Sequence, residues 1–404
     1  MGRSVVIVGA GPAGASTALL LARHGIDVTL IEREASFERV FRGEGLMPLG
    51  MDALLQIGVD LTDVPERLVR SWRIWIDHEE VFVIPEPVDE LGARAVRVMS
   101  QPALLERLVA AAGACSSFVF ERGARCADVI RDPGGRVVGI RLADGRGSLR
   151  ADLVIGCDGR GSLVRTRTGL RLERSREEYD VLWCKLPGHA RLLGECSFMI
   201  AVAAGAHPIV CYCSWDERLQ LGVILPKGSA GALLRDQDWL RLAMLSAPGW
   251  LAEHVLAHRD TLEGPVRLTV LAGRCRSWTA PGVLLLGDAA HPMSPVRAQG
   301  INLALRDAIV AANHLRPALA QPGDTARLDA ACRAVQAERE PEIIRAQHLQ
   351  HREAQGQGDA RASSWRFALA KRGARILGRY GWAQRAWLAR QRDLRFGSTD
   401  VLLY

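Results

Sequence analysis

The sequence predicts an α/β fold: a three-layer arrangement with a mainly parallel sheet, into which a smaller α+β domain is inserted in pieces. Three observations carry that expectation. A strand, a glycine-rich turn, a helix and a second strand open the chain. Two later buried strands run straight into aspartate-bearing loops near residues 157 and 287. Between these segments lie aromatic and β-branched stretches of irregular pattern, which suit a mixed or antiparallel sheet.

Ser4 to Val8 is a continuous β-branched run, the pattern of a parallel strand buried on both faces. An alanine- and leucine-rich helix runs from about Pro12 to His24, Gly25 stops it, and Val28-Thr29-Leu30-Ile31 forms the next strand. That is one βαβ unit, right-handed by the crossover rule. From Trp72 to Val83 the residues become strand-like, with Pro85 and Pro87 ending the stretch. Pro102 to Ala112 reads as a helix, with leucines at 104, 105 and 108. Val137 to Leu142 and Leu149 to Ile155 are strands on either side of the turn signal Asp144-Gly145. Ser175 to Val270 is mixed, with irregular strands and a leucine-rich helix near Leu233 to Leu245. Gly282 to Leu286 is another buried strand, and Ile301 to His314 is the helix that follows it.

A chain of 404 residues suits two closely joined domains, and 48% hydrophobic with 24% charged residues is ordinary for a globular protein. The net charge of +7 is modest, and no Lys/Arg tract is interleaved with aromatics, which argues against nucleic acid as a partner. The basic excess favours anionic ligands such as nucleotide phosphates, carboxylates or acidic lipids. Nine cysteines without a C-x-x-C pair read as free thiols in a reducing compartment, with Cys211 and Cys213 on one face of a strand. The chain opens on a buried strand with no charged leader, and no apolar run reaches transmembrane length, so a cytoplasmic location is expected. His254 and His258 stand four apart, as zinc ligands do. No H-E-x-x-H glutamate and no third ligand accompany them, so no metal site is expected. A G-x-S-x-G elbow and a Walker loop are both missing, leaving hydrolase and ATPase readings unsupported.

Gly9-Ala10-Gly11-Pro12-Ala13-Gly14 lies between the first strand and the first helix. Gly9 permits the tight turn, Gly11 lets backbone approach a pyrophosphate, and Gly14 allows helix to pack on strand. The helix start offers unpaired N–H groups to the anion. Glu32 ends the second strand, where a carboxylate accepts hydrogen bonds from an adenosine ribose. The bland alternative is a structural turn with Glu32 as a solvated strand end. Cys157-Asp158-Gly159-Arg160-Gly161-Ser162, with Arg165 beyond, follows one strand; Gly287-Asp288-Ala289-Ala290-His291-Pro292 follows another. Pro295, Gln299-Gly300 and Asn302 come next. Each string puts an aspartate at the carboxyl end of a parallel strand, where open α/β sheets bind ligands.

These three motifs together resemble the flavoprotein aromatic hydroxylases of the para-hydroxybenzoate hydroxylase type, the single-component FAD monooxygenases, from residue 1 to about 340. The resemblance implies a Rossmann-like FAD-binding domain at 1–70, 101–174 and 274–340, a substrate domain at 71–100 and 175–273, and a C-terminal helical segment at 341–404. It implies FAD held by Gly9, Gly11, Ala13, Gly14, Glu32 and Arg33, with Asp288 on the ribityl chain. Gly300 and Ile301 would offer backbone N–H groups to the isoalloxazine, with Asn302 beside them, and Pro295 would lie at the reactive flavin edge. Asp158 and Gly159 would pack near the pyrophosphate and assist the nicotinamide cofactor. Arg42 and Gln101 resemble residues that contact FAD in relatives. NADH or NADPH would bind transiently to reduce FAD, O₂ would add at the flavin C4a position, and the hydroperoxide would pass one oxygen to an electron-rich ring. A base that deprotonates a phenol helps that transfer, and Tyr179, His189, His207 and Tyr212 are the candidates, with nothing to choose between them. The rival readings are a reductase or dehydrogenase of an isoprenoid or other lipophilic substrate, a flavin halogenase, and a flavin-free binding protein on the same fold.

The chain departs from the family at Arg297, where relatives usually carry glycine. Arg297 is expected to anchor an anionic substrate group, or to stabilise negative charge on reduced or peroxidised flavin, or else to turn outward to solvent. The tail after Arg361 is basic and tryptophan-bearing, with Trp365, Arg366, Lys371, Arg372, Arg375, Arg379, Trp382, Arg385, Trp387 and Arg390. It reads either as closing helices packed on the body or as a peripheral contact with an anionic membrane. Substrate identity and oligomeric state are not legible.

Overall fold

The computed structural model describes residues 3–38, 43–175, 179–321, 323–359 and 364–404, with backbone alone for 355–359, 364–367 and 370. In it the β-branched run becomes the strand Ser4–Val8, flanked by Leu153–Gly156 and Asp27–Glu32, both parallel to it. These strands belong to a six-stranded sheet ordered Thr279–Ala280, Val283–Leu285, Leu153–Gly156, Ser4–Val8, Asp27–Glu32, Phe118–Arg122. Only Thr279–Ala280 runs antiparallel. Alternate residues serve opposite layers. Val5 and Ile7 pack with the helices Pro12–Ala22, Gln101–Gly113 and Gln299–Leu319. Val6 and Val8 pack with the antiparallel sheet formed by Cys126–Arg131, Val137–Leu142 and Ser148–Arg150. The chain adds strands first to one side of Ser4–Val8 and later to the other. A crevice therefore opens at the carboxyl ends of Ser4–Val8 and Leu153–Gly156.

A second sheet has seven strands, ordered Glu263–Thr269, Tyr179–Leu186, Leu219–Pro226, Ile209–Cys213, Ser197–Val202, Ser71–Ile76, Glu79–Pro85. Only Ser197–Val202 and Ser71–Ile76 pair in parallel. The strand-like stretch after Trp72 is therefore a hairpin, because Asp77 and His78 both take positive φ in the two-residue turn that suits twisted strands. Trp72, Phe198, Tyr212 and Gln220 stand opposite one another across four neighbouring strands, forming a row on one face. The helix expected near Leu233 to Leu245 is instead broken into Ala230–Leu233, Trp239–Ala243 and the turn Met244–Ser246. Asp236 accounts for the break: its carboxylate takes the backbone N–H of Asp238 at 2.8 Å, an alternative to helical pairing.

The helix Thr325–Asp359 crosses behind the Gln299–Leu319 helix, held there by buried charges. Arg339, fully buried, reaches Asp307 at 2.8 Å and also meets Glu342, which Arg306 meets at 3.0 Å. The tail forms Ser364–Leu377, Gly381–Arg390 and Arg392–Phe396. Its last helix is anchored by Arg395, buried against Glu86. Among the described residues no helix is long and apolar enough to cross a membrane.

Candidate active site

Three loops meet at the carboxyl edge of the six-stranded sheet. Gly9 takes φ +99°, and a Cβ there would lie 2.5 Å from the Cys157 carbonyl oxygen. A Cβ on Gly14 would lie 1.9 Å from the Gly9 carbonyl oxygen, so helix and strand touch only because both residues are glycine. Gly11 differs: a Cβ on it would meet nothing within 4 Å, leaving its backbone open on the outer side. Gly11 also caps the helix Pro12–Ala22 without a side-chain hydrogen bond, and no acid sits in the first turn. Uncapped N–H groups and an open backbone are what an anion needs. Glu32 bends over this turn, accepting from the N–H of Ala10 at 3.0 Å and of Glu34 at 3.1 Å. Asp158 caps Leu163–Arg167, its Oδ2 accepting from the N–H groups of Leu163 (2.7 Å) and Val164 (3.1 Å). Its Oδ1 is buried with no hydrogen-bond partner among the described residues. The buried Arg165 stitches this loop to the next, donating to the carbonyls of Ala289 (2.8 Å) and Arg160 (2.7 Å).

The third loop carries Asp288, half-buried beside the start of the Gln299–Leu319 helix; a Cβ on Gly300 would lie 3.8 Å from Asp288 Oδ1. That helix also begins without a side-chain cap, because Ala298 at the cap position has a left-handed backbone, as does Arg297. Pro295 starts the turn that leads into it. Tyr179 and Ser294 share a hydrogen bond at 2.5 Å, and Gln350 donates to the Ser294 carbonyl at 2.9 Å. Open Gly11, two uncapped helix starts, the orphaned Asp158 oxygen and Asp288 between them fit a dinucleotide carrying a flavin.

Arg297 departs from the solvent-facing reading. Its guanidinium donates from Nε and Nη2 to Glu353 at 3.1 Å, and lies 4.7 Å from the Trp72 ring and 4.6 Å from that of Trp387. A bidentate carboxylate and two indole faces hold it in place. It therefore clasps the Pro295 loop to the long helix and to the tail, with its side chain turned away from solvent.

Opposite the Pro295 loop stands the aromatic row of the second sheet. Trp72 stacks on Phe198 at 4.9 Å, and Phe198 meets Tyr212 at 4.8 Å. A Cβ on Gly45 would touch both the Ala298 Cβ (3.1 Å) and the Phe198 ring (3.5 Å), so this glycine marks where the Pro295 loop and the aromatic face converge. Glu44, next to it, is buried. It accepts from Ser214 Oγ at 2.6 Å and from Gln220 Nε2 at 2.9 Å. Burial pushes its carboxyl from 4.5 up to about 7, against the pull of Ser214, Lys185 and Gln220.

The remaining expected residues are placed as follows. Ala13 is buried against Gly287, whose Cβ would meet its own at 3.2 Å. Gly159 takes φ +77° in the turn after Asp158. Ile301 is buried in the helix start. Gln101 is buried, its amide 3.4 Å from the Gly43 carbonyl. Arg33 is exposed and paired with Glu34. Arg42 lies outside the described residues. Asn302 spends its side chain inside the protein, accepting from Met47 N at 2.8 Å and donating to Gly45 O at 3.1 Å. It thereby locks the Gly45 segment onto the helix start. Glu44, Gln220, Ser214, Trp72 and Glu353 carry no role in the sequence reading. The one local signal for Glu44 is a carboxylate enclosed by Gly43 and Gly45 just ahead of an apolar run. The His254 and His258 rings lie 4.3 Å apart, tilted by 46°, and no cluster able to hold a metal is found among the described residues.

A family described as FAD binding domain matches residues 3–341. The chain is 35% identical over 360 residues to the 6-methylpretetramide 4-monooxygenase of Streptomyces rimosus, covering 86% of this chain and 82% of that one. It is 27% identical over 347 residues to a probable NADH-specific resorcinol 4-hydroxylase of Rhodococcus jostii, covering 84% of this chain and 62% of the relative. Among solved structures, PqsL of Pseudomonas aeruginosa in complex with 2-aminobenzoylacetate superposes with a TM-score of 0.75 at 24% identity, over 88% of this chain and 97% of that one. A likeness at that identity shows a shared fold.

Proposed function

The chain belongs to the FAD-binding monooxygenases, and from that premise we propose that it uses NADH or NADPH and O₂ to hydroxylate an aromatic or phenolic secondary metabolite. The observation that carries this reading is the aromatic row Trp72–Phe198–Tyr212 standing across from the uncapped helix start behind Pro295. FAD, when bound, takes reducing equivalents from the nicotinamide and delivers one atom of O₂ to the substrate. The protein does the rest. Gly9, Gly11 and Gly14 shape the pyrophosphate turn, with Ala13 packed behind it. Glu32 receives the ribose, and Asp288, Gly300 and Ile301 receive the ribityl and ring portions. Asp158 keeps an unpaired oxygen for either dinucleotide. The aromatic row stacks a flat ring and excludes water from it.

Charge supports a substrate without a carboxylate anchor. Arg297 is taken by Glu353, and Lys185, beyond Gln220, is taken by Asp216 at 2.5 Å. NAD(P)H oxidation by the flavin-loaded enzyme is expected to accelerate with neutral hydroxyarenes, giving a product heavier by one oxygen. Oxidation that no hydroxyarene stimulates, or stimulation without oxygen in the product, would favour the reductase reading.

We also propose peripheral contact with an anionic membrane. Leu369, Ile376, Tyr380 and Trp382 are exposed beside the exposed Arg372, Arg375 and Arg379. The full chain is expected to float with phosphatidylserine vesicles and an I376S/W382S variant to remain in the pellet fraction; equal behaviour removes this contact. Nine unbridged cysteines support a reducing, cytoplasmic setting.

A further inference from the structure

Resting on the hydroxylation reading, we propose that Glu44 is the catalytic base that takes the proton from a hydroxyl on the substrate ring as that ring receives oxygen. Of the four bases the sequence offered, three are poorly placed for this. Tyr179 is committed to Ser294. His189 sits in a cluster with Trp250 and His254. Tyr212 lies on the aromatic face, but burial raises its phenol well above the ordinary range, so it holds its proton. Glu44 is buried at the seam where Gly45 touches both the flavin loop and Phe198.

The surroundings of Glu44 are built for a proton that comes and goes. The Trp183 indole, which can only donate, binds Gln220 Oε1. That fixes the amide so that its NH₂ faces Glu44 at 2.9 Å. Ser214 is different: its hydroxyl, 2.6 Å from the other carboxylate oxygen, can donate to an ionised Glu44 or accept from a protonated one. Lys185, Asp216, Tyr212, Cys196 and Cys213 are the other titratable groups that feel Glu44. Burial is the largest influence, and it brings the carboxyl to about 7, where a base both ionises and accepts near neutral pH. In the step, the substrate O–H bond breaks, its electron pair stays on the ring oxygen and its proton bonds to a Glu44 oxygen. After oxygen transfer the attacked carbon gives its own proton to water, and Glu44 returns its proton to the ring oxygen as aromaticity is restored.

The test uses flavin-loaded enzyme and 2-naphthol, a photoacid whose neutral and ionised forms emit at different wavelengths. Bound to wild type above about pH 7, it is expected to emit as naphtholate, because an ionised acceptor sits beside its hydroxyl. Bound to E44Q it is expected to emit as naphthol near neutral pH, with hydroxylated product formed roughly 10²–10⁴-fold more slowly. S214A keeps the base and loses one donor, so the midpoint of the emission change is expected to move to higher pH. Naphtholate emission from E44Q equal to wild type, or an unmoved midpoint in S214A, overturns the assignment. A wild-type enzyme that leaves 2-naphthol emitting as it does in buffer overturns the hydroxyarene reading instead.

Discussion

Replacing Gly14 with valine is expected to give a colourless protein. The Cβ alone would lie 1.9 Å from the Gly9 carbonyl oxygen and 3.2 Å from the Cys157 Cβ. The first obstacle is backbone, so no rotamer change relieves it. The helix Pro12–Ala22 would have to lift away from the strand end, taking its N–H groups off the pyrophosphate position. Gly11→Ala separates folding from binding. Its Cβ meets no protein atom within 4 Å, so the chain keeps its melting temperature without cofactor while FAD affinity falls at least tenfold. Flavin absorbance relative to protein, after gel filtration, reads both. A yellow G14V protein with wild-type affinity would mean that this turn does not hold the cofactor.

The second large effect is on stability. Arg339→Leu leaves Asp307 and Glu342 short of a cation in a fully buried place, and breaking such a pair costs about 3–5 kcal/mol. The loss reaches the site, because Asp307 also accepts from Gly287 N at 3.1 Å and from His291 at 2.7 Å. It thus holds the backbone in front of Asp288. Burial works against ionised Asp307, yet His291 and Arg339 keep its carboxyl well below the usual range. The stability it contributes is therefore complete above the ordinary 3.8 and is lost as pH falls below that toward the folded value. Without Arg339 the carboxyl rises toward the ordinary value, so this contribution shrinks while the pH at which its loss begins stays at 3.8. Urea unfolding of wild type and variant at pH 7 and just below 3.8 measures this. A difference under about 1 kcal/mol would reduce the cluster to the rank of a surface pair.

Four strands of the parallel sheet, Ser4–Val8, Asp27–Glu32, Leu153–Gly156 and Val283–Leu285, were legible as short apolar runs next to motif loops, whereas the partly exposed edge strand Phe118–Arg122 was not read. Gly9 and Gly14 announce a turn that a side chain would block, Gly11 keeps its outer side open, and Asp158 and Asp288 stand where strands end. The substrate side was less legible for a physical reason. Trp72, Phe198, Tyr212 and Gln220 form one row only after four strands pair, and nothing local ties residue 72 to residue 220. Arg297 shows the same limit from the other direction. Its position in the Pro295 loop was plain, but its partner Glu353 comes from a distant helix and the second indole, Trp387, from the tail. The helix expected around Leu233 to Leu245 failed because leucine spacing outweighed the Asx turn at Asp236 that breaks it.

Calorimetric titration of FAD into the flavin-stripped chain measures most directly whether three loops at one sheet edge grip this cofactor. The expected result is saturable binding of one FAD per chain, with the yellow colour restored and the Gly11→Ala isotherm shifted to weaker affinity. No heat of binding from a folded, colourless wild-type chain would contradict it.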